Sequence, residues 1–335
     1  MKKSLVALAV LAASGAAFAE SGVTLYGLVD TYVGRLDNGT TKQTVINTGG
    51  VNTSRWGIKG AEDLGGGLKA IFKLEQGFAL DTGANGTSTP SQLPTVTGTQ
   101  AFDRQSYVGL AGNFGEFQIG KVWTAYDDLI GASDGVFNAN VLSVLYATWK
   151  SASYIDRPTN GFRYTTPEFS GFTGALSHSL HEKVATAPAV SAASLSYAGG
   201  PLAVQLAYQV ENPYASPNPS VKYLLVAGSY DFGLATAKLS YGDVKNAGNT
   251  AGLDATEYQV ALDVPVGANI LLSASYARSD DDVSGGGFEQ KREGFAVGAT
   301  YTLSKRTFLY GGYQSVSNQQ AVDTTAAVVG IQHRF

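Results

Sequence analysis

Residues 67–75 read GLKAIFKLE, and the way this stretch faces decides the fold. In an extended chain Leu68, Ala70, Phe72 and Leu74 fall on one side, and Lys69, Ile71, Lys73 and Glu75 on the other, because successive strand side chains point to opposite faces. In a water-soluble sheet the apolar side would cover a core and the lysines would meet solvent. In a membrane barrel the apolar side meets lipid and the lysines line a wet interior. So short a stretch does not choose between the two. The remainder of the chain does.

The N-terminus bears on the compartment. MKKSLVALAVLAASGAAFAE carries Lys2 and Lys3, an apolar run from Leu5 to Ala13, and Ala17-Phe18-Ala19 ahead of Glu20. A charged start, an apolar middle and an A-x-A ending have the form of a secretory signal peptide; the apolar run is too short for a spanning helix. Export is expected, with cleavage after Ala19. The whole chain has 23 Lys and Arg against 27 Asp and Glu, a formal net charge of −4, and loss of Lys2 and Lys3 takes this to −6. Such a balance argues against a nucleic-acid partner. Exported chains can carry disulfides, yet this one has no cysteine, so packing and backbone hydrogen bonds must hold it. With 41 glycines, 18 tyrosines and 15 phenylalanines, the composition favours many short strands and turns over helices.

Alternation recurs along the chain. In LAVQLAY, Leu202, Val204, Leu206 and Tyr208 oppose Ala203, Gln205 and Ala207; in NILLSASY, Ile270, Leu272, Ala274 and Tyr276 oppose Asn269, Leu271, Ser273 and Ser275. The connections are of two kinds. Tight ones stand at 62–67, 112–115, 168–171, 198–201, 231–233, 265–268 and 303–306. Longer polar ones stand near 37–50, 80–100, 124–159, 184–190, 211–220, 243–254, 279–290 and 317–322. The two kinds alternate without a break, so the seven short and eight long connections imply sixteen strands, with all tight turns at one rim and all loops at the other. That is the layout of a transmembrane β-barrel, whose closure removes the edges that lipid cannot satisfy. A secreted β-sandwich would have to stretch one core over sixteen strands and has no reason to segregate loop lengths. The expected fold is therefore all-β, a sixteen-stranded antiparallel transmembrane β-barrel occupying residues 20–335 after a signal peptide at 1–19. Lys69 and Lys73 then face water, and Leu68, Phe72 and Leu74 face lipid.

Particular stretches add a resemblance. SGVTLYGLVDTYV at the mature start, SRWGIKGAEDLGGGLKAIFKLEQGF at 54–78, RQSYVGLAGNFGEFQIGK at 104–121, YTLSKRTFLYGGY at 301–313 and the terminal GIQHRF together resemble the general diffusion porins of Gram-negative outer membranes, most of all those of β-proteobacteria. The resemblance implies a cell outer-membrane location, a homotrimer, surrounding lipid and lipopolysaccharide, and a long third loop folded into the lumen as an eyelet. It also implies that the terminal Phe335 is read by the outer-membrane barrel assembly machinery; a strand-end aromatic at the membrane interface is an equally good physical reading.

Sixteen strands enclose an aqueous channel, so selectivity needs something inside it. The longest connection, VWTAYDDLIGASDGVFNANVLSVLYATW, carries Asp127, Asp128 and Asp134, and so long a connection is usually functional. Opposite it, Arg55 and Lys59 share a strand face, Arg104 begins a strand and Arg157 precedes one. By resemblance Arg55, Arg104 and Arg157 match the basic wall of such channels, with Lys59, Lys69, Lys73 and Lys121 as neighbours and Arg35 near the loop end of the first strand. Acids across a narrow gap from bases set up a transverse field that favours hydrophilic solutes, and the charged rings bias ion choice. The wall bases outnumber the loop acids, which gives a slight lean to anions. Asp280, Asp281 and Asp282 read as a solvated outer-loop cluster.

Other patterns carry less. His178 and His181 lie an odd number apart, which on a strand sends them to opposite faces, so no metal is expected. DLGGGL lacks the lysine-serine and helix of a phosphate loop. No cofactor and no enzyme is expected, since a barrel hydrolase would have only His178, His181 and His333 to work with. The expected function is passive diffusion of ions and small hydrophilic solutes. The alternatives are a substrate-specific porin for a small anion or organic acid, and a surface adhesin or receptor barrel.

Overall fold

The computed structural model describes residues 22–88, 96–97, 100–183, 187–214, 217–283, 290–319 and 321–335; the expected signal peptide lies outside them. The first strand, β1, is Gly22–Asp37. The second, β2, comes in two segments, Lys42–Thr48 and Arg55–Gly65. Next come β3 (Leu68–Gly77), β4 (Gln105–Gly112), β5 (Gly115–Lys121), β6 (Gly161–Thr165), β7 (Phe172–Ser179) and β8 (Ala189–Gly199). The second half is β9 (Leu202–Asn212), β10 (Val221–Asp231), β11 (Thr236–Lys245), β12 (Leu253–Val266), β13 (Ile270–Val283), β14 (Lys291–Ser304), β15 (Thr307–Asn318) and β16 (Thr324–Arg334). Each pairs antiparallel with its neighbour. The cylinder closes where β1 pairs β16, from Leu28 opposite Arg334 to Asp37 opposite Thr325.

The sheet has seventeen hydrogen-bonded segments, but two of them make one stave. Residues 31–37 of β1 pair with 42–48, and residues 22–28 pair with 55–61. The second strand therefore leaves the wall at residues 49–54 and rejoins it, and the barrel has sixteen staves. The first polar stretch, expected as a loop over 37–50, is mostly strand. Its turn is only residues 38–41, closed by the Asn38 Oδ1, which accepts from Thr40 and Thr41 N–H at 3.0 and 2.8 Å, with Gly39 at φ 78°.

The two faces differ as a membrane barrel requires. On β4 Val108 and Leu110 are exposed and Gln105 is buried; on β9 Leu206 and Tyr208 are exposed while Ala207 and Gln209 are buried. The exposed apolar face is the one a bilayer covers. Phe72 lies directly opposite Val108 on that face, whereas Lys73 and Glu75 oppose Tyr107 and Gln105 on the other. The opening stretch thus turns its lysines inward. No helix among the described residues is long and apolar enough to cross a membrane.

Residues 122–160 contain two short helices, α1 (Asp127–Ser133) and α2 (Val144–Thr148), the second capped by Ser143 Oγ accepting from Tyr146 N–H at 3.0 Å. This connection packs on the face opposite the exposed apolar one, which in a closed cylinder is the inner face. Gln259 Nε2 donates to Ser133 O at 2.8 Å, Lys238 Nζ to Asp134 O at 3.1 Å, Gln209 Nε2 to Ile155 O at 3.0 Å and Arg292 Nε to Thr148 O at 2.6 Å. Ile130, Leu142, Val144 and Leu145 have no exposed surface, and burial of each contributes about 2 kcal/mol.

One expectation is corrected here. Asp280–Asp282 do not form an outer-loop cluster, because β13 continues through them to Val283. Asp281 is buried on the inner face, bound by Lys150 Nζ at 3.1 Å and Arg292 Nη2 at 2.8 Å. Asp280 points the other way and pairs with Arg278.

Candidate channel constriction

Glu75 is the centre of the basic wall. Strand β3 presents Lys73 and Glu75 on its inner face, β2 brings Arg55, and Arg104 stands immediately before β4. Glu75 Oε1 accepts from Arg104 Nε at 2.7 Å, while Oε2 accepts from Tyr26 Oη at 2.9 Å. Lys73 Nζ lies 3.3 Å from the same oxygen and Arg55 Nε 3.8 Å from it. Glu75 and Arg104 are nearly sealed, whereas Arg55 and Lys73 keep about a quarter of their side-chain surface, 25% and 23%. A carboxylate among like-charged neighbours offsets repulsion that would otherwise drive the cations apart.

Aromatic rings complete the wall. The Tyr26 ring has Lys59 Nζ at 5.3 Å and Lys73 Nζ at 5.5 Å from its centroid. The Trp123 ring has Arg157 Cζ at 4.5 Å and Arg104 Cζ at 5.7 Å; ring faces attract cations at these distances. Lys121 Nζ donates to Arg157 O at 3.0 Å, and Arg157 Nε pairs with Asp156 at 3.0 Å. Arg157 Nη1 is buried and has no hydrogen-bond partner.

The structure brings together Arg55, Lys59, Lys73, Arg104, Lys121 and Arg157. Lys69 shares their inner face but sits opposite Asp63, close to the tight turn at Gly66 and Gly67. Arg35 is corrected: it is exposed and lies opposite exposed Ala327, on the same face as exposed Val33, so it points away from the lumen.

The acids of the connection are differently placed from the expected eyelet. Asp134 is fully buried; its Oδ1 accepts from Gly135 N–H at 2.7 Å and its Oδ2 has no partner. It therefore does not face the channel, and burial raises its carboxyl from the ordinary 3.8 to about 7. Asp128 is held bidentately by Arg163. Asp127 is half-buried and accepts from Tyr154 Oη; burial, then the nearby Asp156 carboxylate, pushes it up to about 7. Asp156 and Arg163, together with Glu75, Tyr26 and Trp123, belong to the lining without having been singled out from the sequence. Parity had already put Glu75 on the face of Lys73, though not as a partner of the bases; the others depend on contacts between distant parts of the chain.

The remaining sequence signals resolve simply. His178 Nδ1 is 2.8 Å from Ser191 Oγ, and His181 stacks on Tyr214 with centroids 4.3 Å apart. No group of metal-ligating side chains occurs among the described residues. Phe335 exchanges backbone hydrogen bonds with Gly27, both 3.0 Å, across the closure of the barrel. A Cβ on Gly27 would lie 2.4 Å from the Phe335 ring and 2.7 Å from the Arg55 carbonyl oxygen, so the ring fills space that a side chain at position 27 would need.

The chain matches the family described as Gram-negative porin over residues 4–321. It is 33% identical over 342 residues to outer membrane porin protein 32 of Delftia acidovorans, covering 96% of this chain and 91% of that one. It is 32% identical over 401 residues to an outer membrane porin protein of Bordetella pertussis, covering 100% of both. Among solved structures, the anion-selective porin from Comamonas acidovorans superimposes with a TM-score of 0.79 at 27% identity, over 94% of this chain and 100% of that one.

Proposed function

The chain belongs to the Gram-negative porins, outer-membrane barrels that act as channels, and on that premise we propose a water-filled pore for ions and small hydrophilic solutes with a modest preference for anions. The observation that carries the preference is an imbalance of charge along one wall, six bases against the carboxylates of Glu75 and Asp156. The bases Arg55, Lys59, Lys73, Arg104, Lys121 and Arg157 share one wall around the carboxylate of Glu75. The acids expected to oppose them are withdrawn: Asp134 into the wall contact, Asp128 onto Arg163, Asp127 onto Tyr154. An anion entering the gap meets an excess of cationic ends, and a cation meets few ionised carboxylates. An anion-selective solved relative agrees with this reading.

In this proposal Arg55, Arg104 and Arg157 form the constriction wall, assisted by Lys59, Lys73 and Lys121, with Lys69 a more distant lumen charge. The connection at residues 122–160 narrows the pore. Residues 1–19 are a cleaved signal peptide, the channel is a homotrimer in contact with lipid and lipopolysaccharide, and Phe335 serves the assembly machinery. The reversal potential across a bilayer in a salt gradient tests the central point. A value of anion sign supports the reading, and a value of cation sign contradicts it.

One observation favours a second reading, in which the wall binds a small organic anion on its way through. Arg55 and Lys73 keep 25% and 23% of their side-chain surface open on the same wall, a pair of cationic donors that a passing carboxylate can reach. Conductance that saturates with rising organic-anion concentration supports that reading; strictly linear conductance removes it.

A further inference from the structure

The interruption of β2 is built around one residue of β1. Residues 49–52 leave the wall, and the N–H groups of Gly50, Val51 and Asn52 all converge on the Asp30 carboxylate, at 2.9, 3.1 and 2.9 Å. Tyr310 Oη donates to the same carboxylate at 2.6 Å. The Asp30 backbone is engaged as well: its N–H donates to Ser54 Oγ at 2.9 Å, and its carbonyl accepts from Gly49 N–H at 2.9 Å. Asp30 has no exposed surface. A carboxylate collecting several backbone N–H groups fixes the local path of the chain as few other groups can.

The carbonyls of the same segment point the other way. Gly50 O accepts from Val141 N–H at 3.0 Å, Val51 O from Asn140 N–H at 3.2 Å, and Gly49 O from Asn140 Nδ2 at 3.1 Å. Asn140 and Val141 belong to the connection that carries the constriction, midway between α1 and α2. The interrupted segment therefore has its donors on Asp30 and its acceptors on the connection. It also has no slack, since a Cβ on Gly50 would lie 2.1 Å from Tyr310 Oη.

We propose that Asp30 is a positioning residue for the constriction: by holding residues 49–52 it fixes the middle of the connection to the barrel wall, and so sets the open level and steadiness of the pore. This rests on residues 122–160 forming the constriction. The far end of the connection is tied separately, through Ser151 and Lys150 to Glu257 and Asp281, so loss of the Asp30 contact frees the middle without releasing the whole. Asparagine at position 30 would turn an amide NH2 towards backbone donors, leaving them without acceptors.

The test is single-channel recording of refolded Asp30→Asn, with heat-modifiable electrophoretic mobility as the check of folding. The expected result is a folded barrel that has lost its single quiet open level and flickers between sublevels. Because the chain lacks cysteine, a Val51→Cys/Asn140→Cys pair can be added cleanly to Asp30→Asn. Its oxidation should restore the quiet level, and its reduction should remove it again. Should Asp30→Asn fail to fold, Asn140→Ala leaves the wall intact and should flicker alike. A quiet wild-type level in folded Asp30→Asn, or in Asn140→Ala where that is the variant recorded, overturns the proposal, as does failure of the oxidised pair to restore it. Arg104→Ser is recorded in parallel. A shifted reversal potential there with a quiet Asp30→Asn overturns the Asp30 role alone, whereas no change in either variant overturns the constriction reading with it.

Discussion

Glu75 shows how one side chain can hold a charged wall together. It faces Arg104, Lys73, Arg55 and the Tyr26 hydroxyl at once. Glu75→Gln keeps the shape and removes the charge, so the reversal potential should move further towards anions. Leaving a buried arginine without its partner should also cost about 3 kcal/mol of stability, readable as a lower unfolding midpoint in denaturant. Arg104→Ser should move the reversal potential the opposite way, towards cations; an unchanged potential would remove Arg104 from the constriction. The face of Glu75 was legible from the alternation in GLKAIFKLE, but its role was not. That role needs Arg104, which lies 29 positions on and is brought alongside only by strand register. Arg35 failed for a related reason. The inner face of β1 carries buried Leu28, Tyr32 and Leu36, because the inner connection and the wall segment beside it cover that side. Both faces of β1 then carry large apolar side chains, and alternation loses its sign.

At the scale of elements, the connection between β5 and β6 behaves as a small core placed inside the cylinder. Its apolar residues were visible in the sequence, yet nothing there said which wall they cover, and the three aspartates looked alike. Burial separates them. Asp134 has a docked-state pKa raised from the ordinary 3.8 to about 7 by burial, so the docked connection holds its proton more tightly than a detached one. Docking is then strongest below about pH 4, weakens as pH rises towards about 7, and changes no further above that on account of this group. Open-channel noise should accordingly increase between about pH 4.5 and 7.5, and Asp134→Asn, which stays neutral throughout, should make the increase smaller and leave only the share of Asp127, which burial raises likewise to about 7. Noise that rises equally in the variant would exclude Asp134 as the cause. The Asp280–Asp282 run was misread because three acids in a row imitate a solvated loop. Asp281 is sustained inside by Lys150 and Arg292, an arrangement that local sequence cannot reveal.

For the whole molecule, the alternation of short and long connections was enough to give the strand number, the closure and the rim assignment. It worked because a membrane barrel leaves so little else possible. The interruption of β2 escaped notice because a stave in two pieces preserves the count. Closure itself depends on the seam between β1 and β16, where the Phe335 ring occupies the space left by Gly27. Gly27→Val should displace that ring and destabilise the barrel by about 2 kcal/mol, lowering the temperature at which its folded mobility on electrophoresis is lost; an unchanged temperature would show that the seam does not need the contact.

The most direct test of the account is the current carried by the purified, refolded protein in a planar bilayer with a salt gradient across it. Ohmic steps are expected, grouped in threes for a trimer, with a reversal potential of anion sign that Glu75→Gln increases and Arg104→Ser reduces. Protein shown to be folded that yields no ohmic steps, or steps with a reversal potential of cation sign, would contradict the account.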